Sequence, residues 1–284
     1  MPYPFEDDRA LNTAYLTLLS TFEHNSMNTK PLLISSTTSQ TWPIHKVLWT
    51  GGWDSTFRIL DLVSRKTCVI QAYYIVDEGR RSHPIEIKRM EKISAAVVSK
   101  NWPGMIEPVR ITPMPNIDIY PDIRSAWKKM RETTRLGAQY EWLAVFAREA
   151  RLSELEMGVV PGGELEEFLR HRTVPIQHNN EQTFIFKDSD SPAQLLFENM
   201  NFPILALTKP RMGEIAQERG FLDILEMSWF CHKPLKNGKP CGLCTPCNDA
   251  VTREMAYRVG WRGRMLSKMP SFLRKTSRRL FGRL

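Results

Sequence analysis

No stretch of this 284-residue chain approaches the roughly 18–20 consecutive apolar residues of a membrane-spanning helix, so none is expected. The N-terminus, Met1-Pro2-Tyr3-Pro4-Phe5-Glu6-Asp7-Asp8, lacks the basic and apolar regions of a secretory signal, and the expectation is a cytoplasmic protein. No internal repeat is present, and the length suits one sizeable α/β domain with an appendage or two small domains. The body also lacks net charge. The formal total is +8, but ten Lys/Arg against Glu254 alone lie between Arg253 and Leu284, and the other 252 residues sum to −1. A near-neutral body argues against a nucleic-acid backbone as its partner.

What is present is an ordinary core-forming composition, 42% apolar, laid out as alternating strands and helices. Residues 1 to about 40 precede the first core strand, with a helix expected from Ala10 to Phe22 and a polar linker or edge strand from Ser35 to Thr41. His45 to Trp49 is predicted as the first strand and Trp53 to Arg65 as the first helix. Cys68 to Val76 is a continuous apolar run, as expected of a strand buried on both faces. A helix is predicted from Pro84 to Ser99, a third strand from Met105 to Ile111, and helices over Ile123 to Glu132 and Tyr140 to Arg151. A fourth strand, Leu155 to Val160, precedes a short helix from Glu164 to Arg170. This alternation implies a doubly wound parallel sheet. Ligands of such sheets sit at the carboxyl ends of the strands, where the Thr50, Asp77 and Val160 loops would share one rim.

The most informative loop is Thr50-Gly51-Gly52-Trp53-Asp54-Ser55-Thr56, which joins the first strand to the first helix. Two glycines let the backbone turn tightly and approach an anion without an intervening side chain. The first amides of the following helix have no internal acceptor, and its dipole favours negative charge there. A Walker loop is excluded because no Gly-Lys-Ser/Thr follows, and the dinucleotide fingerprint because the third glycine is missing. A tight turn without a ligand is the plainer alternative.

Four of the five cysteines are grouped as C-x9-C-x2-C-x2-C: Cys231, Cys241, Cys244 and Cys247. Two overlapping knuckles and a fourth thiolate supply tetrahedral ligands for structural zinc. A redox dithiol or an iron–sulfur cluster is the alternative, and a disulfide framework suits a cytosolic chain less well. Cys68 opens a buried strand and reads as a small apolar core residue.

The Gly-Gly-x-Asp-Ser string resembles the pyrophosphate loop of the PP-loop ATP-pyrophosphatase (adenine nucleotide alpha-hydrolase-like) superfamily, with Thr50 where that superfamily usually has serine. Together with the cysteine cluster it is similar to the 7-cyano-7-deazaguanine synthase family, from about Lys46 to Ala250. The Asp77 to His83 loop, Glu86, the Phe202 to Leu205 segment and Thr208-Lys209-Pro210 look like further landmarks. The likeness fails at two substrate segments, where Arg135 to Tyr140 and Pro161 to Glu167 depart from the family pattern.

The resemblance implies a 1–44 extension, a 45–225 PP-loop domain, a 226–260 zinc-binding segment and a 261–284 basic tail. It also implies an ATP-dependent ligase on the route to queuosine-type bases. A carboxylate, 7-carboxy-7-deazaguanine or a relative, would be adenylated with release of pyrophosphate and then joined to ammonia or another amine. ATP would be held by Thr50, Gly51, Gly52, Trp53, Asp54, Ser55, Thr56, Tyr74 and Val76. Asp54 would act through Mg²⁺, Ser55 would assist, and Arg80, Arg81 or His83 would neutralise phosphate or the substrate carboxylate. Zn²⁺ would sit on the four cysteines. A non-catalytic nucleotide-binding module and an RNA-modifying PP-loop enzyme are the alternatives. A second copy of the chain, as a homodimer, and an acidic protein or an anionic membrane surface reached through the tail stand as partner classes. For the tail from Ser271 to Leu284, whose Phe272, Leu273, Leu280, Phe281 and Leu284 alternate with basic residues, a solvated terminus is the plainer reading.

Overall fold

The computed structural model describes residues 42–252 and 255–267. The expected Ala10 to Phe22 helix, the Ser35 to Thr41 stretch and the Ser271 to Leu284 tail lie outside the described residues. The first half of the chain contributes β1 (Ile44–Leu48), α1 (Trp53–Arg65), β2 (Val69–Val76), α2 (His83–Ser99), β3 (Met105–Ile106), β4 (Arg110–Pro113), α3 (Pro121–Thr133) and α4 (Gln139–Glu149). The second half contributes β5 (Leu155–Glu156), α5 (Glu164–Arg170), β6 (Thr173–His178), β7 (Glu181–Phe186), α6 (Gln194–Phe197), β8 (Met200–Asn201), α7 (Lys209–Glu218), α8 (Leu222–Leu225), α9 (Thr245–Thr252) and α10 (Trp261–Ser267). No helix among the described residues is long and apolar enough to cross a membrane.

The sheet runs β3-β2-β1-β5-β8-β7-β6, with β4 also paired to β2. From β3 to β8 the pairings are parallel. The pleat sends alternate side chains of β2 to opposite faces. Ile70, Ala72 and Tyr74 join Val47 and Trp49 in a core with residues of α1, α2, α7 and α8. Tyr73 and Ile75 join Leu48 in a second core with residues of α3, α4, α5 and α6. Burial on both faces is why β2 reads as an unbroken apolar run.

Three expectations need correction. The sheet is mixed, because β6 and β7 form an antiparallel hairpin and β7 also pairs antiparallel with β8. The two-residue turn Asn179-Asn180 has φ of 50° and 59°, the left-handed conformation that this tight hairpin demands and that Asn tolerates. The expected third strand is split into β3 and β4 around Pro108, which has no amide to give the ladder. The expected fourth strand pairs only over Leu155–Glu156, because its neighbour β8 is equally short.

Beneath α1 lies a buried ionic network. Glu156 on β5 accepts from Arg58 Nε at 2.7 Å and meets His45 Nδ1 at 2.6 Å. Arg58 also reaches Glu181 at 3.2 Å, and Glu181 pairs with Arg65 at 2.7 Å and with Lys66. Burial opposes ionisation of Glu156, but Arg58 and His45 hold its carboxyl down to about 2. Against its own burial, Glu181 is likewise held to about 2 by Arg65 and Lys66. Both folded values lie below the ordinary 4.5, so the stabilisation is complete above about pH 4.5 and is lost as pH falls towards 2. Replacing Glu156 with glutamine strands a buried guanidinium and is expected to cost about 3–5 kcal/mol. Urea titrations at stepped pH should show this loss, with a shallower acid dependence in the variant. An acid limb identical to wild type would contradict the assignment.

Candidate functional site

The chain leaves β1 through Trp49, whose amide donates to the Tyr73 carbonyl at 2.9 Å. The Trp49 indole donates to the Thr56 hydroxyl at 2.9 Å, so Thr56 is buried and braces the loop from behind. Gly51 takes φ +65°, and a Cβ there would stand 3.1 Å from the Glu86 carbonyl oxygen. Gly52 is extended and caps α1 without any side-chain cap. The first-turn amides of Trp53, Asp54 and Ser55 therefore have no intrahelical acceptor. Gly158, just past β5, packs on the same turn: a Cβ there would meet the Ser55 nitrogen at 3.2 Å. Because β2 and β5 flank β1 on opposite sides, this turn lies at the topological switch point of the sheet.

In front of the turn is a cleft of about 270 Å³, near the lower end for a small-molecule site. Thr50, Gly52, Trp53 and Asp54 form one side. Lys209, the first residue of α7, meets Asp54 Oδ1 at 3.0 Å as an ion pair without hydrogen-bond alignment. Arg80 is paired with Asp77 at 3.0 Å. Arg258 lies over the rings of Trp53 and Phe230, 5.2 Å from each centroid, and donates to the Ser228 carbonyl at 2.5 Å. Burial pulls the Arg258 guanidinium below its ordinary range, and Glu226 opposes that shift. The Ser55 hydroxyl and the Trp53 indole N–H are buried and lack a hydrogen-bond partner among the described residues.

Of the residues singled out from sequence, Thr50, Gly52, Trp53 and Asp54 line the cleft. Gly51 and Ser55 are buried in its supporting turn, and Thr56 lies behind it. Tyr74 is buried, with its hydroxyl on Glu86 at 2.6 Å, and Val76 ends β2. Of the three candidates in the loop after β2, Arg80 lines the cleft, whereas Arg81 is exposed and His83 begins α2, and neither of these two lines it. Lys209, Trp229, Phe230, His232, Asp249 and Arg258 were not among the expected site residues. A local signal existed for Lys209 alone: Thr208 followed by Lys-Pro is a helix start, and Thr208 caps α7.

The four cysteines converge, with all four Sγ atoms within 4.8 Å of one another. The closest approaches are Cys244–Cys247 at 3.4 Å, Cys231–Cys244 at 3.8 Å and Cys241–Cys247 at 3.9 Å. A tetrahedron with Zn–S bonds of about 2.3 Å has edges of about 3.8 Å, so the cluster is compatible with zinc. Backbone amides support the sulfurs: Cys241 N–H donates to Cys231 Sγ at 3.2 Å and Leu243 N–H to Cys241 Sγ at 3.4 Å. Hydrogen bonding with Cys231 holds the Cys241 thiol well below its usual range. Cys68, by contrast, is buried away from the cluster, and burial pushes its thiol up to about 11.

The cluster is also a wall of the cleft. Phe230 and His232 flank Cys231, and Pro246, Asp249 and Ala250 belong to α9, which carries Cys247. The Trp229 amide donates to the Gly51 carbonyl at 2.7 Å. No family model matches this chain, and no curated protein matches it.

Gly242, at φ +74°, packs so closely on Gly263 that a Cβ would stand 2.1 Å from the Gly263 Cα. Cys244→Ser should therefore lower both bound metal and melting temperature, and Gly242→Ala should lower the latter. Metal analysis with thermal melts checks this. Full metal retention by Cys244→Ser would contradict a four-thiolate centre.

Proposed function

We propose that the chain binds ATP in this cleft and adenylates a small-molecule carboxylate, releasing pyrophosphate, before transfer to ammonia or another amine. The observation that carries the reading is the uncapped Gly51-Gly52-Trp53-Asp54-Ser55 turn at the switch point, with Lys209 directly before it. The open amides of α1 offer donors to the departing pyrophosphate, and the fixed N–H dipoles need no reorganisation as charge develops. Lys209 can share its ammonium between Asp54 and phosphate oxygens. Asp54 is the loop carboxylate suited to a Mg²⁺ ion, which would supply charge neutralisation to the polyphosphate. Gly51 lets the chain turn beside α2 at positive φ, and Gly52 lines the cleft without a side chain.

The four cysteines would hold Zn²⁺ in a structural role: four thiolates would leave it no open coordination position, and it would shape the wall of the cleft. The resemblance of the loop and the cysteine cluster to 7-cyano-7-deazaguanine synthases makes 7-carboxy-7-deazaguanine the first carboxylate to try.

ATP–pyrophosphate exchange with candidate carboxylates tests the reading. Exchange is expected in wild type, with a fall of about 100-fold in Asp54→Ala and about tenfold or more in Lys209→Met at unchanged melting temperature. ATP binding without exchange for any carboxylate would instead mark a nucleotide-binding module, and absence of ATP binding would sink both readings.

A further inference from the structure

Glu86 stands near the start of α2, is 6% exposed and lines the cleft beside the Gly51 turn. Two neutral hydroxyls hold its carboxylate: Ser82 Oγ donates to Oε1 at 2.7 Å and Tyr74 Oη to Oε2 at 2.6 Å. Burial, and then the Glu86 charge, push the Tyr74 phenol up, so Tyr74 remains a donor. The cations of the cleft are engaged elsewhere: Arg80 with Asp77, Lys209 with Asp54 at 3.0 Å, and Arg258 with Glu226 at 3.4 Å. Glu86 thus keeps a buried negative charge with no paired cation among the described ion pairs. Such a charge is costly unless something completes it. An ionised carboxylate has about four acceptor positions, and the two hydroxyls fill two of them. The open positions belong to a group beside the turn that would grip the phosphates, and they suit a small cation with several N–H donors.

We infer that Glu86 binds the amine co-substrate as its ammonium form and accepts its proton. The inference rests on the C–N bond-forming reading above. The carboxylate takes one proton from the ammonium and leaves a lone pair on nitrogen. That nitrogen attacks the acyl carbon of the adenylate and forms the C–N bond. The bond from that carbon to the AMP oxygen breaks, AMP leaves with the electron pair, and the second nitrogen proton passes to solvent. Tyr74 and Ser82 act as positioning residues, because they fix the carboxylate and do not touch the amine.

The test is a titration of the metal-loaded full chain with methylammonium chloride at constant ionic strength, followed by tryptophan fluorescence, since Trp53 and Trp229 line the same cleft. Tetramethylammonium, equal in charge but without N–H donors, is the control. Wild type is expected to saturate with methylammonium and to ignore tetramethylammonium. Glu86→Gln keeps the shape and two hydrogen-bonding atoms, and is expected to weaken methylammonium binding about tenfold or more. Glu86→Asp, which keeps the charge and shortens the reach, should fall between the two. Equal responses in wild type and Glu86→Gln, or no saturation in wild type, would overturn the inference, and so would Asp behaving as Gln. ATP–pyrophosphate exchange on the same preparations separates the two claims. Exchange with indifferent methylammonium titrations removes the amine site and keeps adenylation. A saturable site lost in Glu86→Gln without exchange keeps the cation site and removes the ligase reading.

Discussion

The Trp229 amide donates to the Gly51 carbonyl at 2.7 Å, and this contact ties two distant parts of the chain together. On one side is the turn that ends β1 and starts α1. On the other is the segment that carries Cys231 two residues later. Gly51 can present its carbonyl in that direction because it adopts φ +65°, a conformation that side-chain-bearing residues resist. On its other side the turn passes so close to α2 that a Cβ on Gly51 would stand 3.1 Å from the Glu86 carbonyl oxygen. The turn is therefore held between these two neighbours, and its Thr50, Gly52, Trp53 and Asp54 line the cleft. A metal in the cysteine cluster would stiffen one of the two neighbours, which gives a structural centre a direct bearing on the site.

Charge in the cleft is arranged in pairs that a ligand can rearrange. Lys209–Asp54 and Arg80–Asp77 are partly exposed, so each contributes little as a salt bridge and either can exchange partners at low cost. The Arg58–Glu156–His45 network is of another kind. It is buried beneath α1, none of its three residues lines the cleft, and it fixes the helix whose N-terminus forms the site. One set of ion pairs is available for recognition, and the other anchors the scaffold.

What the sequence made legible was local. The bounds expected for the helix after the Gly-Gly turn and for the short helix after the fourth strand match α1 at Trp53–Arg65 and α5 at Glu164–Arg170. The spacing of the four cysteines anticipated a cluster that the fold assembles. The hairpin of β6 and β7 was missed although Asn179-Asn180 between two alternating runs is a turn signal. The third strand was drawn through Pro108, where the ladder had to break. The site followed the same division. Thr50 to Asp54 were readable because they are contiguous. Lys209 had only a helix-start signal, and Trp229 and Arg258 reach the cleft through the packing of the cysteine segment, which no local spacing encodes. Of Arg80, Arg81 and His83, only Arg80, which pairs with Asp77, lines the cleft, and the sequence could not choose among the three.

The central claim is that the turn at residues 50–55 grips the phosphates of ATP. Hydrogen–deuterium exchange of the metal-loaded chain, with and without magnesium ATP, addresses it directly. Added nucleotide should slow exchange across peptides covering 50–56, with smaller protection at 209–212 and 229–232, and should leave the β6–β7 hairpin unchanged. Unaltered exchange at 50–56 under saturating ATP, or protection confined to another part of the chain, would contradict it.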